Sequence, residues 1–351
     1  MRLRYLFLAS FLFAGSLSLS AEDQATIVGT VTDPTGAAIP NAKVTVSNPA
    51  VGFVRSYQSS TTGEYTAARI PLGSYVVTAE MSGFQVLNLT GITLNAGQTL
   101  RVDLQLKVGQ ENQQVTVEGN ATNVETDTAA ISGVVVGKQI SELSIPSRNF
   151  VNLALLIPGA APLGGGFDPN SVSDLATDTL PVNGLPGNMN NWEVDGINNV
   201  DQGSGSDSLQ IYPSLDSIAE FKVSTANYSA EYAKSGSAMI EVVTKSGTNR
   251  FHGSAFEFVR NDILNADDWF LHRAGQPKAP TKHNDFGFTL GGPVYIPGVY
   301  NTNKQKTFFF ISEQWRRYRD GTILNAKVPS LRERQGDFSE CDSSSPKSVC
   351  L

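Results

Sequence analysis

"VVTKSGTNRFHGSAFEF", Val242 to Phe258, decides how the rest of the chain reads. Its first half closes like the last strand of a soluble β-domain. "KSGTN" (Lys245 to Asn249) is a tight polar turn, and beyond it Phe256 and Phe258 fall on one face of a strand with period two. Either the turn joins two strands of one soluble sandwich, or it marks a passage between two solvents. Downstream residues favour the passage. "DFGFTLGGPV" (Asp285 to Val294) alternates Phe286, Phe288 and Leu290 with Asp285, Gly287, Thr289 and Gly291. "KTFFFISEQWRRY" (Lys306 to Tyr318) carries aromatics near both ends. Membrane β-strands alternate lipid-facing apolar with lumen-facing polar or small residues over about ten positions. The connections fit as well: a long polar one, Asn261 to Asn284, and then a shorter one, Ile296 to Gln305. Long outside and short inside is the rule for such barrels.

The N-terminus agrees with export. Arg2 and Arg4 precede "YLFLASFLFAG", the small-residue stretch "SLSLSA" follows, and then come Glu22 and Asp23. A positive start, a short apolar run and small cleavage residues make a secretory signal peptide over residues 1–21. A membrane anchor would need roughly 20 apolar residues, more than this run has. An exported chain with no later apolar helix re-enters a membrane only as β-structure. A net charge of −7, with no Lys/Arg cluster to neutralise phosphates, excludes nucleic acid as the main partner. The two cysteines, Cys341 and Cys350, read either as a local loop disulfide or as chance spacing in a tail.

Between residues 25 and 108, strand-sized pieces alternate with the turn signals "DPTG", "TTGE", "PLGS", "MSGF" and "NAGQ". Val102, Leu104, Leu106 and Val108 share one face of "RVDLQLKV", and Ala42, Val44 and Val46 share one face of "NAKVTVSN". Such spacing predicts a small β-sandwich. "GTVTDPTGAAIPNAKVTV" and "TTGEYTAARIPLGSYVVTAEMSGF" resemble the carboxypeptidase regulatory-like domain, which has a transthyretin-like, carbohydrate-binding-like fold. The resemblance implies no peptidase. A zinc enzyme needs a clustered ligand set, whereas His252, His272 and His283 lie outside this segment without ligand spacing. Phe53, Tyr57 and Phe84 read either as sugar-stacking rings or as packing residues.

Residues 113–249 mix strand-like pieces (Trp192 to Val194, Glu220 to Val223, Met239 to Thr244) with a helix around Gly137 to Leu143 and long loops, an α+β pattern. No nucleophile with its base, no phosphate loop and no metal set assembles there, so the expectation is a non-enzyme without cofactors. "VDGINN" (Val194 to Asn199), "SIAEFKV" (Ser217 to Val223), "YSAEYAKSGSAMIEVVTKSGTN" (Tyr228 to Asn249) and "FHGSAFEFVRN" (Phe251 to Asn261) resemble the plug and first barrel strand of TonB-dependent outer-membrane receptors. The nearest branch is the Oar-like one, which carries the sandwich in front. "ELSIPSRNFVNLALLIPG" (Glu142 to Gly159) is similar too, but has Leu143-Ser144 and Ser147-Arg148 where that branch usually has Leu-Pro and Gly-Arg.

The resemblance implies a mainly β chain: a signal peptide (1–21), a sandwich (25–108), an α+β plug domain (113–249) and the first strands of a transmembrane β-barrel (250–351). It implies a plug-gated receptor in the outer membrane with its N-terminal domain in the periplasm. Its partners would be TonB, outer-membrane lipid, and carbohydrate or another large extracellular substrate. The segment Gln114, Val115, Thr116, Val117 and Glu118 reads either as the TonB-binding box, which pairs by strand addition, or as the last sandwich strand. Three strands before Leu351 fall short of the roughly 8 that a closed membrane barrel needs, so this reading expects a truncated receptor. The rival expectation is a secreted carbohydrate-binding or adhesive β-protein.

Overall fold

The computed structural model describes residues 24–109, 114–118, 127–143, 145, 148–161, 180–201, 208–232, 236–267, 269–273, 275–276, 278, 280–321, 329 and 331–338. The expected signal peptide and both cysteines, Cys341 and Cys350, lie outside the described residues. One compact unit holds residues 1–254 with 288–313, and a second holds 255–287 with 314–351.

Alternation builds the N-terminal sandwich. Its strands are β1 (Ala25–Thr32), β2 (Lys43–Asn48), β3 (Phe53–Gln58), β4 (Glu64–Ile70), β5 (Gly73–Glu80), β6 (Val86–Leu94), β7 (Thr99–Arg101), β8 (Leu104–Gln105) and β9 (Gln114–Glu118). One sheet has the order β4-β1-β7, with β8 also on β1, and the other has the order β3-β2-β5-β6-β9. Ile27, Val44, Val46, Tyr75, Val77, Ile92, Leu104 and Leu106 fill the space between them. Val108, expected on the buried face, is 73% exposed, because regular pairing ends before it and leaves a bridge to Phe84. Gly29 is obligatory: a Cβ there would stand 1.9 Å from the Val102 carbonyl oxygen. The "DPTG" turn closes as expected, with Gly36 N–H donating to the Asp33 carbonyl at 3.0 Å. The Asp33 carboxylate accepts from the Thr35 hydroxyl at 2.6 Å and from the Ala37 N–H at 2.9 Å. Those bonds, the Thr35 hydroxyl foremost, hold its carboxyl below the usual range.

The second sheet, with order β10-β15-β16-β11-β12, uses β10 (Ile131–Val136), β11 (Asn191–Val194), β12 (Ile197–Asn198), β15 (Ile218–Ala226) and β16 (Met239–Thr244). A separate small hairpin joins β13 (Val200–Asp201) to β14 (Ser208–Leu209). Helix α1 (Gly137–Glu142) buries Ile140. The core centres on Trp192, which meets the Phe150 ring edge-on at 6.0 Å and the tilted Phe221 ring at 6.3 Å. "VDGINN" folds as a two-residue hairpin: Val194 pairs with Ile197, and Asp195 and Gly196 take φ of 50° and 74°. Two successive positive φ angles are what a type I′ turn demands, and Asp-Gly supplies them.

The third sheet has the order β17-β18-β19, formed by β17 (His252–Asn261), β18 (Thr281–Pro293) and β19 (Phe308–Asp320), and it is open. Within the first unit, Ser254 meets the Thr289 hydroxyl at 2.8 Å, and a Cβ at Gly291 would stand 2.7 Å from His252 Nε2. Phe251 lies on the opposite face, 6.3 Å from the Phe309 ring. In the second unit, Phe286 stacks on Trp315 at 5.5 Å, while His283 stacks on Tyr318 at 4.2 Å and the Tyr318 hydroxyl donates to Asp285. The expected faces of β18 are therefore present. Phe256 and Phe258 share one face of β17 as expected, with ring centroids 6.1 Å apart, and strand period gives that face the parity of Ser254.

Candidate functional site

Residues 114–118 form β9, which runs parallel to β6 with Val86 opposite Gln114 and Thr90 opposite Glu118. Two alternating valines and a β-branched threonine suit an extended segment. Of the two sequence readings, the structure adds this segment to the sandwich sheet as its terminal strand. Its outer edge faces no strand among the described residues. Beneath it is a cleft of about 250 Å³, lined on one wall by Leu87, Leu89, Val115 and Val117 and on the other by Asp103, Gln105 and Lys107. No aromatic ring lines it, so it lacks the flat apolar face on which a sugar stacks. Phe53, Tyr57 and Phe84 pack against the sandwich core, and the Phe53 ring meets Tyr75 edge-on at 5.7 Å. They act as packing residues here.

The passage from the second sheet to the third is fixed by polar contacts. Asp195, placed by its hairpin, accepts from the Thr244 N–H and hydroxyl, both at 2.8 Å, at the end of β16. Lys245 Nζ donates to the Asp216 carbonyl at 2.8 Å, and burial lowers its pKa against the attraction of Asp216. The Asp216 carboxylate accepts from the buried Arg148 guanidinium. Arg148 has a φ of 48°, so the position where the resembling branch carries a Gly-Arg pair does use left-handed backbone here, on the arginine itself. On the face of β19 shared with Tyr318, Ser312 Oγ lies 2.9 Å from Ser214 Oγ, which joins the third sheet to the second.

Sequence reasoning missed a charged cluster on β15 and β16. Lys222 and Glu241 are cross-strand partners, 3.5 Å apart and both buried. Tyr232 donates to Glu241 at 2.9 Å. The β6–β7 turn of the sandwich covers the group: Lys222 Nζ donates to the Ala96 carbonyl at 2.9 Å, and Ala96 N–H donates to Glu220 Oε2 at 2.8 Å. Burial raises the Glu220 pKa, partly offset by the Ala96 N–H and by Lys222. In "AEFKV" these charges alternate with core residues as a solvated face would, so the sequence signals their side and not their cover. Arg101 adds a two-pronged bond to Asp127, with Nη2 to Oδ1 at 2.9 Å and Nε to Oδ2 at 3.0 Å. Among the described residues no three His, Cys, Asp or Glu side chains gather as metal ligands would.

Comparison with known proteins follows the same order along the chain. Residues 26–107 match the family model of the carboxypeptidase regulatory-like domain, and residues 243–349 match that of the outer membrane beta barrel domain. Over 333 residues the chain is 25% identical to the TonB-dependent transporter Oar of Myxococcus xanthus, covering 91% of this chain and 29% of that protein. The chain thus spans less than a third of this relative's length. Solved structures with partial similarity include the siderophore receptor PirA from Acinetobacter baumannii, with a TM-score of 0.33 and 18% identity over 46% of this chain and 22% of that one. The ferric enterobactin receptor PfeA has a TM-score of 0.31, with 18% identity over 47% and 22% of the respective chains. The chain is homologous to the Oar transporter, and its matched C-terminal region is of outer-membrane type.

Proposed function

We propose that this chain is the gate end of an outer-membrane transporter. The sandwich lies in the periplasm, the second sheet is the plug, and β17, β18 and β19 are wall strands against lipid. The energising protein TonB pairs with residues 114–118 and draws the gate open for a solute too large to diffuse through. What carries this reading is an alignment with a TonB-dependent transporter over 333 residues, 91% of this chain. Supporting it, β9 ends its sheet and offers one edge to a further strand. Strand addition uses such edges, with main-chain hydrogen bonds supplying affinity.

The test is binding of the purified periplasmic domain of TonB to the intact chain, with and without Val115→Pro. Proline removes a backbone donor in the middle of β9. The expected loss is at least about tenfold in affinity, roughly 1.4 kcal/mol. Unchanged binding would remove 114–118 from the docking site. An adhesive sugar-binding role gains no observation, since the candidate rings are packed and the cleft has no ring.

A further inference from the structure

Besides the Arg101–Asp127 pair, the sandwich touches the rest of its compact unit at two places among the described residues that concern the second sheet and its exit. At the first, the 95–98 turn sits on Glu220, Lys222 and Glu241, with both Ala96 backbone groups engaged at 2.8 and 2.9 Å. Gly97 has a φ of 55°, and a Cβ there would stand 3.0 Å from Lys222 Nζ and 3.3 Å from Glu241 Oε1. At the second, Asn249 N–H donates to the Ala50 carbonyl at 2.8 Å, and Asn249 Nδ2 donates to the Pro49 carbonyl at 3.3 Å. Beside it Gly52 abuts the connection between β18 and β19, where a Cβ would stand 2.3 Å from the Gln305 carbonyl oxygen.

The chemistry of the first contact is that of a joint able to part. Its groups are charged or backbone polar groups. When docked, Lys222 has Glu241 and the Ala96 carbonyl, and Glu241 has Tyr232 as a donor. When undocked, water serves the same groups. A buried ion pair has little net worth beside its desolvation cost, so parting sacrifices little electrostatic stabilisation. An apolar joint would instead expose hydrocarbon on parting. We propose that the 95–98 turn, seated on Glu220, Lys222 and Glu241, is a reversible latch by which the sandwich grips the second sheet. Release frees that sheet from the sandwich and, with it, from the 294–307 connection that the sandwich also abuts. Strand β6 runs directly into this turn, and its first part, Val86 to Thr90, pairs with β9. A load on 114–118 therefore reaches Glu220 and Lys222 through one paired strand; only the origin of that load rests on the proposed TonB contact.

Amide hydrogen exchange on the intact chain tests the latch without any partner. Gly97→Val drives a branched side chain into Lys222. Gly36→Val is its control, because Gly36 also has positive φ (85°) but has nothing within 4 Å of the added Cβ. The expected result is that Gly97→Val lowers protection by at least about tenfold at Ala96 and, far away in sequence, at Asn249. Gly36→Val should leave both amides as in the parent. Lys222→Met, which keeps the stem and removes the ammonium, should act in the same direction as Gly97→Val and avoids backbone strain. Loss at Ala96 with Asn249 unchanged in both latch variants would overturn the proposal. So would equal loss in Gly36→Val. Failure of TonB to bind 114–118 would overturn the energising role and leave this result untouched.

Discussion

At the scale of single residues the informative groups are buried charges. Glu220 accepts from the Ala96 N–H beside Lys222, yet burial outweighs both and raises its pKa above the ordinary glutamate range. The sign of the consequence follows from linkage. A carboxyl whose pKa is raised in the folded, docked state binds its proton more tightly there than when released. Its contribution to docking is therefore complete below the ordinary glutamate value and is lost as pH rises through the raised value. Protection of the Ala96 amide, corrected for intrinsic exchange, should fall as pH goes from about 4 to about 7. Glu220→Gln keeps an acceptor for Ala96 and removes the titration, so its profile should be flat. A parent profile already flat would show that Glu220 does not feel the docked turn. Lys222 and Glu241 face the same turn, with Tyr232 donating to Glu241.

At the scale of elements, the alternation of β18 is its clearest property. Single cysteines at positions 283 to 291, in a chain with Cys341 and Cys350 changed to serine, should respond to a lipid-soluble quencher with period two. Positions 286, 288 and 290 should be quenched, and 283, 285 and 289 protected. A flat or aqueous response throughout would mean a soluble sheet. The same strand shows what was legible in the sequence. Residues sharing a face could be read directly, because side chains in a strand alternate without exception short of a bulge. The identity of the medium on each face could not. In β17, Phe256 and Phe258 look lipid-facing by composition, yet they share the parity of Ser254, which meets Thr289. The sandwich core was legible for the same reason, since Val44, Val46, Leu104 and Leu106 alternate cleanly into it. The latch was not. Lys222 and Ala96 are 126 residues apart, and no local pattern tells a strand face covered by a distant turn from one covered by water.

At the scale of the whole molecule, the sandwich and the two larger sheets that follow it come in order and are tied by polar contacts: Ala96 to Glu220 and Lys222, Asn249 to Ala50, and Ser214 to Ser312. The order was legible because each sheet has its own signature of turns or alternation, whereas the contacts join residues far apart in the chain. The partner of β9 was open in the sequence, since "QVTVE" suits any edge, and topology placed it on β6. The central claim is that this chain works in the outer membrane. The third sheet supports it, because Phe286, Phe288 and Leu290 share one face of β18, and Phe288 and Leu290 stay exposed as lipid-facing side chains would. Membrane fractionation of cells expressing the protein from its own gene is the direct measurement. The account predicts sedimentation with the outer membrane, retention through high-salt and alkaline washes, and release by detergent. Recovery as a monodisperse soluble protein in the periplasm or medium would contradict it.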